Sequence, residues 1–239
     1  MRRIAAAALC AIGLSSAPAL AHMGERPFNI LLLADELEIG YPPAELPVAW
    51  DAKSWLGGDY NRLWIQSEGQ TLTRKRETDV DLEVFYGRLI APFWEVRIGV
   101  QSELQTEGGA RDMRGQLALG VEGLAPYLFE IEPTFYVSYE GDVSASLEAS
   151  YSLRITQRLV LQPKAELNVA IQAVPDFGVG SGVNDLELGA RLRYEVLREV
   201  APYLGFEWNQ KYGETADLAR SARHDRRALM GVLGLRLWY

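Results

Sequence analysis

The last thirteen residues of the chain, 227–239, alternate between apolar and mixed positions up to the terminus. Leu233, Leu235, Leu237 and Tyr239 share one side of an extended chain, and the other side mixes Gly, Arg and Met. Since successive side chains of a strand point to opposite faces, this pattern predicts a β-strand. A transmembrane barrel strand shows its apolar face to lipid and its mixed face to the lumen. The last strand of a soluble β-sandwich is the alternative for this stretch taken alone.

The same period of two recurs through the chain between polar or Gly/Pro-containing breaks. In the segment 93–105, for example, Trp94, Val96 and Ile98 alternate with Glu95 and Arg97. Pro133 lies within one segment, where it predicts interrupted pairing because proline cannot donate to a ladder. The twelve predicted strands are 28–40, 48–56, 61–66, 79–89, 93–105, 113–123, 127–139, 143–153, 158–171, 184–196, 202–212 and 227–239.

The connections between these strands alternate in length. Short turns are predicted at 57–59, 90–92, 124–126, 154–157 and 197–201, and longer polar loops at 67–78, 106–112, 173–183 and 213–226, with 140–142 as a short exception. Outer-membrane barrels have short turns at one end and long loops at the other. Aromatic residues next to the turns predict an interfacial girdle: Trp55, Trp64, Phe93, Trp94, Tyr127, Tyr203, Trp238 and Tyr239. The pattern therefore predicts an all-β fold, a single antiparallel transmembrane β-barrel of about 12 strands.

The N-terminus has the pattern of a secretory signal peptide. Arg2 and Arg3 precede the apolar run 4–14, and Ala19-Leu20-Ala21 offers small residues for cleavage. We predict a signal peptide at 1–21, a short segment at 22–27 and the barrel at 28–239. Cys10, the single cysteine, leaves with the signal peptide, so neither disulfides nor thiolate metal sites are expected in the mature chain.

Charge narrows the range of partners. Cleavage would remove Arg2 and Arg3 and no acid, which leaves 22 Lys and Arg against 32 Asp and Glu. An acidic exported protein is a poor partner for nucleic acid and a reasonable one for cations. The mature sequence contains no apolar run near 18 residues, so we expect no transmembrane helix.

Many charged residues fall on the predicted inner side of their strands. Pairing should be the rule, because unpaired charge in a narrow barrel is costly. Two interpretations stay open: a structural charge network, and an acidic path for cations. The acids are Asp81, Glu83, Glu95, Glu122, Glu130, Glu132, Glu148, Glu166, Glu187, Glu195 and Glu207, and the bases are Arg62, Arg97, Lys164, Arg191, Arg193 and Arg236.

Several strings along the chain resemble the copper resistance protein B family. They are Trp55-Leu-Gly-Gly-Asp-Tyr-Asn-Arg-Leu-Trp64, Glu68-Gly69, Pro92-Phe93-Trp94, Gly123-Leu-Ala-Pro-Tyr127, Thr156-Gln-Arg-Leu159, Leu161-Gln-Pro163, Glu166-Leu-Asn168, Gly178-Val-Gly-Ser-Gly182, Leu192-Arg-Tyr-Glu195, Arg198-Glu199 and Ala201-Pro-Tyr203. The resemblance implies an outer-membrane barrel of bacterial copper-handling systems, in contact with lipid and copper ions. It also implies a periplasmic multicopper oxidase as a candidate partner. The alternative function is a general small-solute channel without copper selectivity.

One departure from the family pattern bears on copper binding. Family members often carry a long Met- and His-rich N-terminal segment, which is reduced here to His22 and Met23. After cleavage, the α-amine and imidazole of His22 could chelate Cu(II), and the thioether of Met23 suits Cu(I). His224 in the last long loop and Met230 on the terminal strand complete the metal candidates. Copper is therefore expected to bind weakly.

Enzymatic activity is not expected from the sequence. A hydrolytic nucleophile needs an adjacent base, and His224 with Ser221 and Asp225 is the only such cluster in the sequence. It lies in a predicted loop without an oxyanion-hole pattern. The glycine-rich 178–182 segment lacks the lysine and following helix of a phosphate-binding loop.

Overall fold

The computed structural model describes residues 28–41, 47–72, 77–107, 110–222 and 224–239. Most of them belong to antiparallel strands. The predicted signal peptide and the segment 22–27 lie outside the described residues. The strands are β1 (Asn29–Tyr41), β2 (Pro47–Gly57), β3 (Asn61–Leu72), β4 (Glu77–Ala91), β5 (Trp94–Glu107), β6 (Ala110–Ala125), β7 (Phe129–Ser138), β8 (Val143–Tyr151), β9 (Leu153–Arg154), β10 (Leu159–Ala170), β11 (Gly182–Tyr194), β12 (Val200–Lys211) and β13 (Arg227–Trp238).

The sheet closes on itself. Each strand pairs with its neighbours in sequence, and β13 pairs with β1, where Leu33 lies opposite Trp238. The two-residue β9 continues β8 after Ser152, and both pair with β10. With β8 and β9 counted as one, the thirteen segments form a closed barrel of twelve strands, here called staves. This confirms the predicted fold class. Closure leaves no unpaired sheet edge among the described strands.

The two ends of the barrel differ. β1 begins and β13 ends at one end, here called the terminal end, where the indole of Trp238 donates to the carbonyl of Arg198. The opposite end, the loop end, carries the longer connections. There the segment 171–181 includes a 3₁₀ turn, Pro175–Phe177, and the last long connection contains the helix α1 (Gly213–Ser221).

Three of the predicted loops are corrected by the structure. The segment 67–78 is mostly strand, because β3 runs to Leu72 and β4 starts at Glu77. In the segment 106–112, β5 runs to Glu107 and β6 starts at Ala110. Polar side chains misled the loop predictions, since a barrel strand with a polar lumen face can carry as many of them as a loop. In 213–226, the helix α1 occupies Gly213–Ser221 of the predicted loop.

Two of the irregularities in the ladders bear on the sequence predictions. In β1 the register shifts between Ala34 and Glu36 on one side and between Ala34 and Glu38 on the other, which marks a bulge. Pro133 pairs with Leu147 of β8, but the β6–β7 pairing skips from Thr134 to Ile131. The proline thus interrupts one ladder, as its missing N–H requires.

The two faces of the wall have opposite character. Large apolar side chains such as Ile98, Leu117, Leu204 and Leu233 are exposed on the outside, and charged side chains line the inside. A water-facing surface of this kind would be unfavourable, whereas lipid accepts it. No described helix has the length and apolar character needed to cross a bilayer.

The predicted aromatic girdle is partly wrong. Phe93, Tyr127 and Tyr239 are exposed at the terminal end, as a girdle requires. Trp64 and Tyr203 are 6% and 3% exposed and lie inside the barrel, and Trp55 packs against Trp64 with ring centroids 6.2 Å apart. Each of these three side chains follows the parity of its strand, which places it on the lumen face although it lies near a turn.

Candidate functional site

Contacts between strands that are not neighbours define the interior of the barrel. Arg191 on β11 donates to Glu38 on β1 at 2.6 Å, and Tyr136 on β7 donates to Glu83 on β4 at 3.0 Å. Such contacts can only cross the lumen of a closed sheet. The charged lumen is therefore the candidate functional site.

A cavity of about 300 Å³ occupies the loop-end part of the lumen. Its wall carries nine carboxylates and only two cationic side chains, Lys53 and Arg114. Carboxylates in a confined, low-dielectric wall focus a negative potential that concentrates cations. The carboxylates are Asp51, Glu68, Asp81, Glu83, Glu103, Glu132, Glu148, Glu166 and Asp185.

Two arcs of carboxylates supply most of this charge. Glu68 lies directly opposite Asp51 on one side and Asp81 on the other, and Asp81 lies opposite Glu103. Across the lumen, a second arc runs through Glu132, Glu148, Glu166 and Glu187 on four adjacent staves. Like charges directly opposite each other destabilise a sheet. This arrangement therefore costs stability that the fold recovers elsewhere.

A second cavity, of about 210 Å³, lies toward the terminal end. Five carboxylates and three cationic side chains line it. The carboxylates are Asp35, Glu122, Glu130, Glu132 and Glu148, and the cations are Lys53, Lys164 and Arg236. Arg236 pairs with Asp35, and the hydroxyl of Ser150 donates to Glu130 at 3.1 Å. Charge is thus closer to balance here than in the loop-end cavity.

The two cavities meet at a central ion-pair cluster, formed by Lys53, Lys164, Glu132 and Glu148. Lys53, Glu132 and Glu148 line both cavities. The ammonium of Lys53 lies 3.5 Å from Glu132 and 3.9 Å from Glu148, and that of Lys164 lies 3.4 Å from Glu148. These side chains come from β2, β7, β8 and β10, so the cluster crosses the lumen from wall to wall.

An aromatic group fills the lumen beside this cluster. Trp64 and Phe85 are buried, with Trp55 and Tyr136 packed against them. The guanidinium of Arg97 has no solvent exposure and lies 5.2 Å from the centre of the Phe85 ring and 5.4 Å from that of Trp64. Arg97 also pairs with Glu132 and Glu122. This packing narrows the lumen next to the central cluster.

A second buried arginine, Arg191, connects strands near the β13–β1 pairing that closes the barrel. Arg191 on β11 pairs with Glu36 at 2.8 Å and Glu38 at 2.6 Å on β1, and with Glu207 at 3.2 Å on β12. The guanidinium presents several donors in a fixed plane, which suits multiple carboxylates at once. Arg191 therefore links the strands on either side of β13.

Two connections fold over the loop-end mouth. The ring of Phe177 lies 4.7 Å from the guanidinium of Arg114, three staves away. The amide of Gly180 donates to the hydroxyl of Thr215 on α1 at 2.9 Å, and Ser181 donates to Glu214 from its amide at 3.0 Å and its hydroxyl at 2.9 Å. We call the segment 171–181 the lid segment, since Val179 within it lines the loop-end cavity.

The carboxylate of Glu214 is the charged member of this contact. Its two hydrogen bonds from Ser181, the backbone amide first, lower the pKa of Glu214 below the usual glutamate range. Hydrogen bonding to the charged carboxylate is the cause of the lowered pKa. Burial contributes little, because Glu214 is exposed on α1 at the loop end. The lid segment is therefore held by an ionised acceptor at neutral pH.

The structure separates the metal candidates. His22 and Met23 lie outside the described residues. His224 lies at the loop-end mouth, with its ring nitrogen 3.9 Å from a Glu77 oxygen. Met230 on β13 lies directly opposite Glu207 on β12 and therefore faces the lumen. In the part of the chain that the structure describes, no group of three or more His, Cys, Asp or Glu side chains is arranged to hold a metal ion.

Apart from Glu187 and Glu195, the lumen charges singled out from the sequence make side-chain contacts inside the barrel or line its cavities. Glu95 accepts hydrogen bonds from Trp64 and Arg62, and Arg193 donates to Gln162. The amide of Asn168 donates to Glu166 at 3.0 Å. The remaining residues of this set were placed above: Glu83, Arg97, Glu130, Glu132, Arg191 and Arg236.

Sequence reasoning missed several charged residues of the lumen. The bulge in β1 turns Asp35, Glu36 and Glu38 inward together, which strict alternation cannot show. Lys53 could have been found from the parity of β2, since it shares a face with Trp55. The other missed residues are Asp51, Glu68, Glu103 and Arg114. Glu68 and Arg114 lie in or beside segments that were predicted as loops, whereas Glu103 shares the parity of Glu95 and Arg97 in the predicted strand 93–105.

Comparison with known proteins agrees with this architecture. The family model for the copper resistance protein B precursor (CopB) matches residues 28–239. Copper resistance protein B of Escherichia coli is 36% identical over 211 residues, which cover 88% of this chain and 70% of the relative. A homolog from Pseudomonas syringae pv. tomato is 37% identical over the same shares.

The chain belongs to the copper resistance protein B family. Among solved structures, the NanC porin shares the fold with a TM-score of 0.52 at 13% identity, covering 87% of this chain and 99% of the porin. Family and fold together place the protein in the bacterial outer membrane, in contact with lipid, with a role in copper resistance. They also indicate a non-enzymatic role for this copper resistance protein B family member.

Proposed function

We propose that this barrel contributes to copper resistance by admitting copper cations from the loop end into the acidic cavity, where they bind loosely. The observation that supports this most directly is the excess of nine carboxylates over two cations in the wall of the loop-end cavity. Five of these carboxylates make no ion pair with a described residue: Glu68, Asp81, Glu83, Glu166 and Asp185. Uncompensated acids next to a cavity attract cations.

Carboxylates alone would not select copper. They are hard ligands that attract divalent ions in general, whereas thioether favours Cu(I) and imidazole favours Cu(II). We therefore assign copper preference to the N-terminal pair, His22 and Met23, with His224 and Met230 as secondary candidates. His224 lies at the loop end and the described chain begins at the terminal end, so His22 and His224 would act separately.

Charge removal in the cavity tests the proposed entry of copper. The triple variant Glu68→Gln, Asp81→Asn, Glu166→Gln should lower the copper tolerance that the protein restores to a deletion strain. A matched control, Asp59→Asn, Glu140→Gln, Asp225→Asn, removes the same charge from exposed acids that do not line either cavity. Equal copper tolerance of the two variants, at equal amounts in the outer membrane, would count against the proposal.

The alternative, a general small-solute channel without copper selectivity, makes a different prediction. The presence of a cavity on either side of the central cluster is the observation that favours it. A general channel would carry neutral sugars into proteoliposomes and would restore growth on solutes unrelated to copper. Copper admission predicts a copper-dependent phenotype without sugar uptake.

The N-terminal site is tested by titration. Cu(II) affinity of the mature protein should fall in His22→Ala and in a form with one extra N-terminal residue, because either change removes half of the amine–imidazole chelate. Affinity should also decrease as pH drops through the imidazole range, since the ring must be neutral to bind. Unchanged affinity and stoichiometry in both variants would rule this site out.

A periplasmic multicopper oxidase remains a proposed partner. The terminal end of the barrel would face the periplasm, the compartment in which such an oxidase would act. Co-purification of the two proteins from membranes solubilised in mild detergent tests the association. Recovery of the oxidase with a porin of the same strain in equal amount would show that the association is not specific.

A further inference from the structure

We infer that Lys53 and Lys164 are tethered cations that close the lumen, so that they set the barrier to cation passage between the loop-end and terminal-end cavities. The inference builds on the proposed function, in which cations enter the loop-end cavity. It adds a location for the barrier and the two side chains that form it.

The location follows from the two cavity walls. Lys53, Glu132 and Glu148 belong to both walls, so the cavities adjoin at these three side chains. On one side the lumen is filled by the packed rings of Trp64 and Phe85. A cation moving along the lumen would have to pass the central ion-pair cluster.

The two ammonium groups occupy the positions between carboxylates where a passing cation would otherwise bind. Lys53 is shared among Asp51, Glu132 and Glu148 at 3.9, 3.5 and 3.9 Å, and Lys164 between Glu36 and Glu148 at 3.9 and 3.4 Å. Each lysine thus neutralises several carboxylates and repels any further cation. Since both charges are covalently attached, they cannot be swept through the lumen as a free ion could.

The choice of lysine supports this role. The whole sequence contains four lysines, and two of them form this cluster, whereas arginine makes the other internal pairs with Glu and Asp. Arginine makes rigid, planar contacts, whereas the lysine ammonium is a compact, hydrated point charge on a flexible stem. All five ammonium–carboxylate distances here exceed the normal hydrogen-bond range, as expected of a charge shared by several acids at once.

Removal of the two positive charges should allow ions to pass between the two cavities and should make the conductance cation-selective. With both lysines replaced by methionine, Glu132 and Glu148 would remain as an acidic constriction of nearly unchanged bulk. In planar lipid bilayers containing KCl, the full mature chain with Lys53→Met and Lys164→Met should show a severalfold higher conductance than the wild type. A KCl gradient should give a reversal potential on the cation-selective side.

Two control variants isolate the effect of position and charge. Lys211→Met removes one positive charge from β12 without touching the central cluster and should conduct as the wild type does. Lys53→Arg with Lys164→Arg keeps both charges and should stay closed. If the Lys53→Met, Lys164→Met double variant conducts like the wild type, with the same selectivity, the inference is wrong.

A charge-balanced variant guards against misfolding of the double variant. Lys53→Met and Lys164→Met combined with Glu132→Gln and Glu148→Gln removes equal numbers of positive and negative charges, and folding is followed by heat-modified migration on gels. This variant should conduct more than the wild type but lose the cation preference. If it folds and stays closed, the lysines are not the barrier.

Copper tolerance separates this inference from the proposed function. A rise in potassium conductance together with unchanged copper tolerance in every variant would support the barrier and contradict copper admission. No rise in conductance would overturn the barrier, whatever the copper phenotype of the cavity variants.

Discussion

The two cavities of the lumen differ in how their carboxylates are compensated. In the terminal-end cavity, Glu130 alone of the five carboxylates makes no ion pair with a described residue, and it accepts a hydroxyl hydrogen bond instead. In the loop-end cavity, five of the nine make none. Carboxylates of the terminal-end cavity are therefore mostly ion-paired, whereas more than half of those in the loop-end cavity are not.

This difference indicates two roles for buried acids in one barrel. Arginines such as Arg97 and Arg191 meet their carboxylates where the lumen is packed, and there an unpaired charge would be costly. The loop-end acids border an open cavity in which solvent can screen them. Their mutual repulsion lowers stability slightly, and it also leaves negative charge available to an entering cation.

The largest expected effect is the loss of a packed arginine. Arg97→Met would leave Glu122 and Glu132 without that partner and should lower the free energy of unfolding by about 3–5 kcal/mol. Arg114→Met, in the wall of the loop-end cavity, leaves only Glu103 unpaired beside open space and should cost clearly less. Urea unfolding of both variants in lipid vesicles measures the difference. Equal losses of unfolding free energy would mean that solvent screens an unpaired carboxylate equally well in both cavities.

A smaller effect of opposite sign is expected from neutralising one acid in each cavity. Asp81→Asn relieves repulsion with Glu68 and Glu103, which lie opposite it, and should raise the free energy of unfolding by about 0.2–1 kcal/mol. Glu122→Gln weakens the pair with Arg97, 3.3 Å away, and should lower it. The same urea titrations report both signs. Destabilisation by Asp81→Asn would show that the loop-end acids are compensated after all.

The smallest expected effect concerns the cover of the loop-end cavity. Because the pKa of Glu214 is lowered in the folded protein, its contact with Ser181 stabilises the lid segment fully above the usual glutamate range. That contribution is lost as pH falls through the lowered pKa. Amide hydrogen exchange in 171–181, after correction for the intrinsic pH dependence, should therefore become faster in acid.

The variant Glu214→Gln serves as the control for that pH dependence. It should exchange faster in 171–181 at neutral pH and show little further change in acid. The β13 amides at the terminal end should be indifferent to both treatments. A wild-type lid segment with no corrected pH dependence would remove Glu214 from the closure of the cavity.

Most strand faces and the order of the strands follow from the amino-acid sequence alone. The alternation in 93–105 and 227–239 is local, because each side chain's direction follows from its position in an extended backbone. Alternating short and long connections then fix an up-and-down order, which closes into the observed barrel. Strand lengths were less certain, since polar lumen positions in 67–72 and 110–112 have the composition of a loop.

Which charges pair with each other depends on the closed barrel and cannot be read from the sequence. Lys53 and Glu132 are far apart in sequence, and strand parity says that both face inward but not that they face each other. That depends on the stagger of twelve staves and on the bulge in β1, which brings Glu36 within 2.8 Å of Arg191. Parity is a property of the local backbone, whereas an ion pair across the lumen depends on how the whole sheet closes.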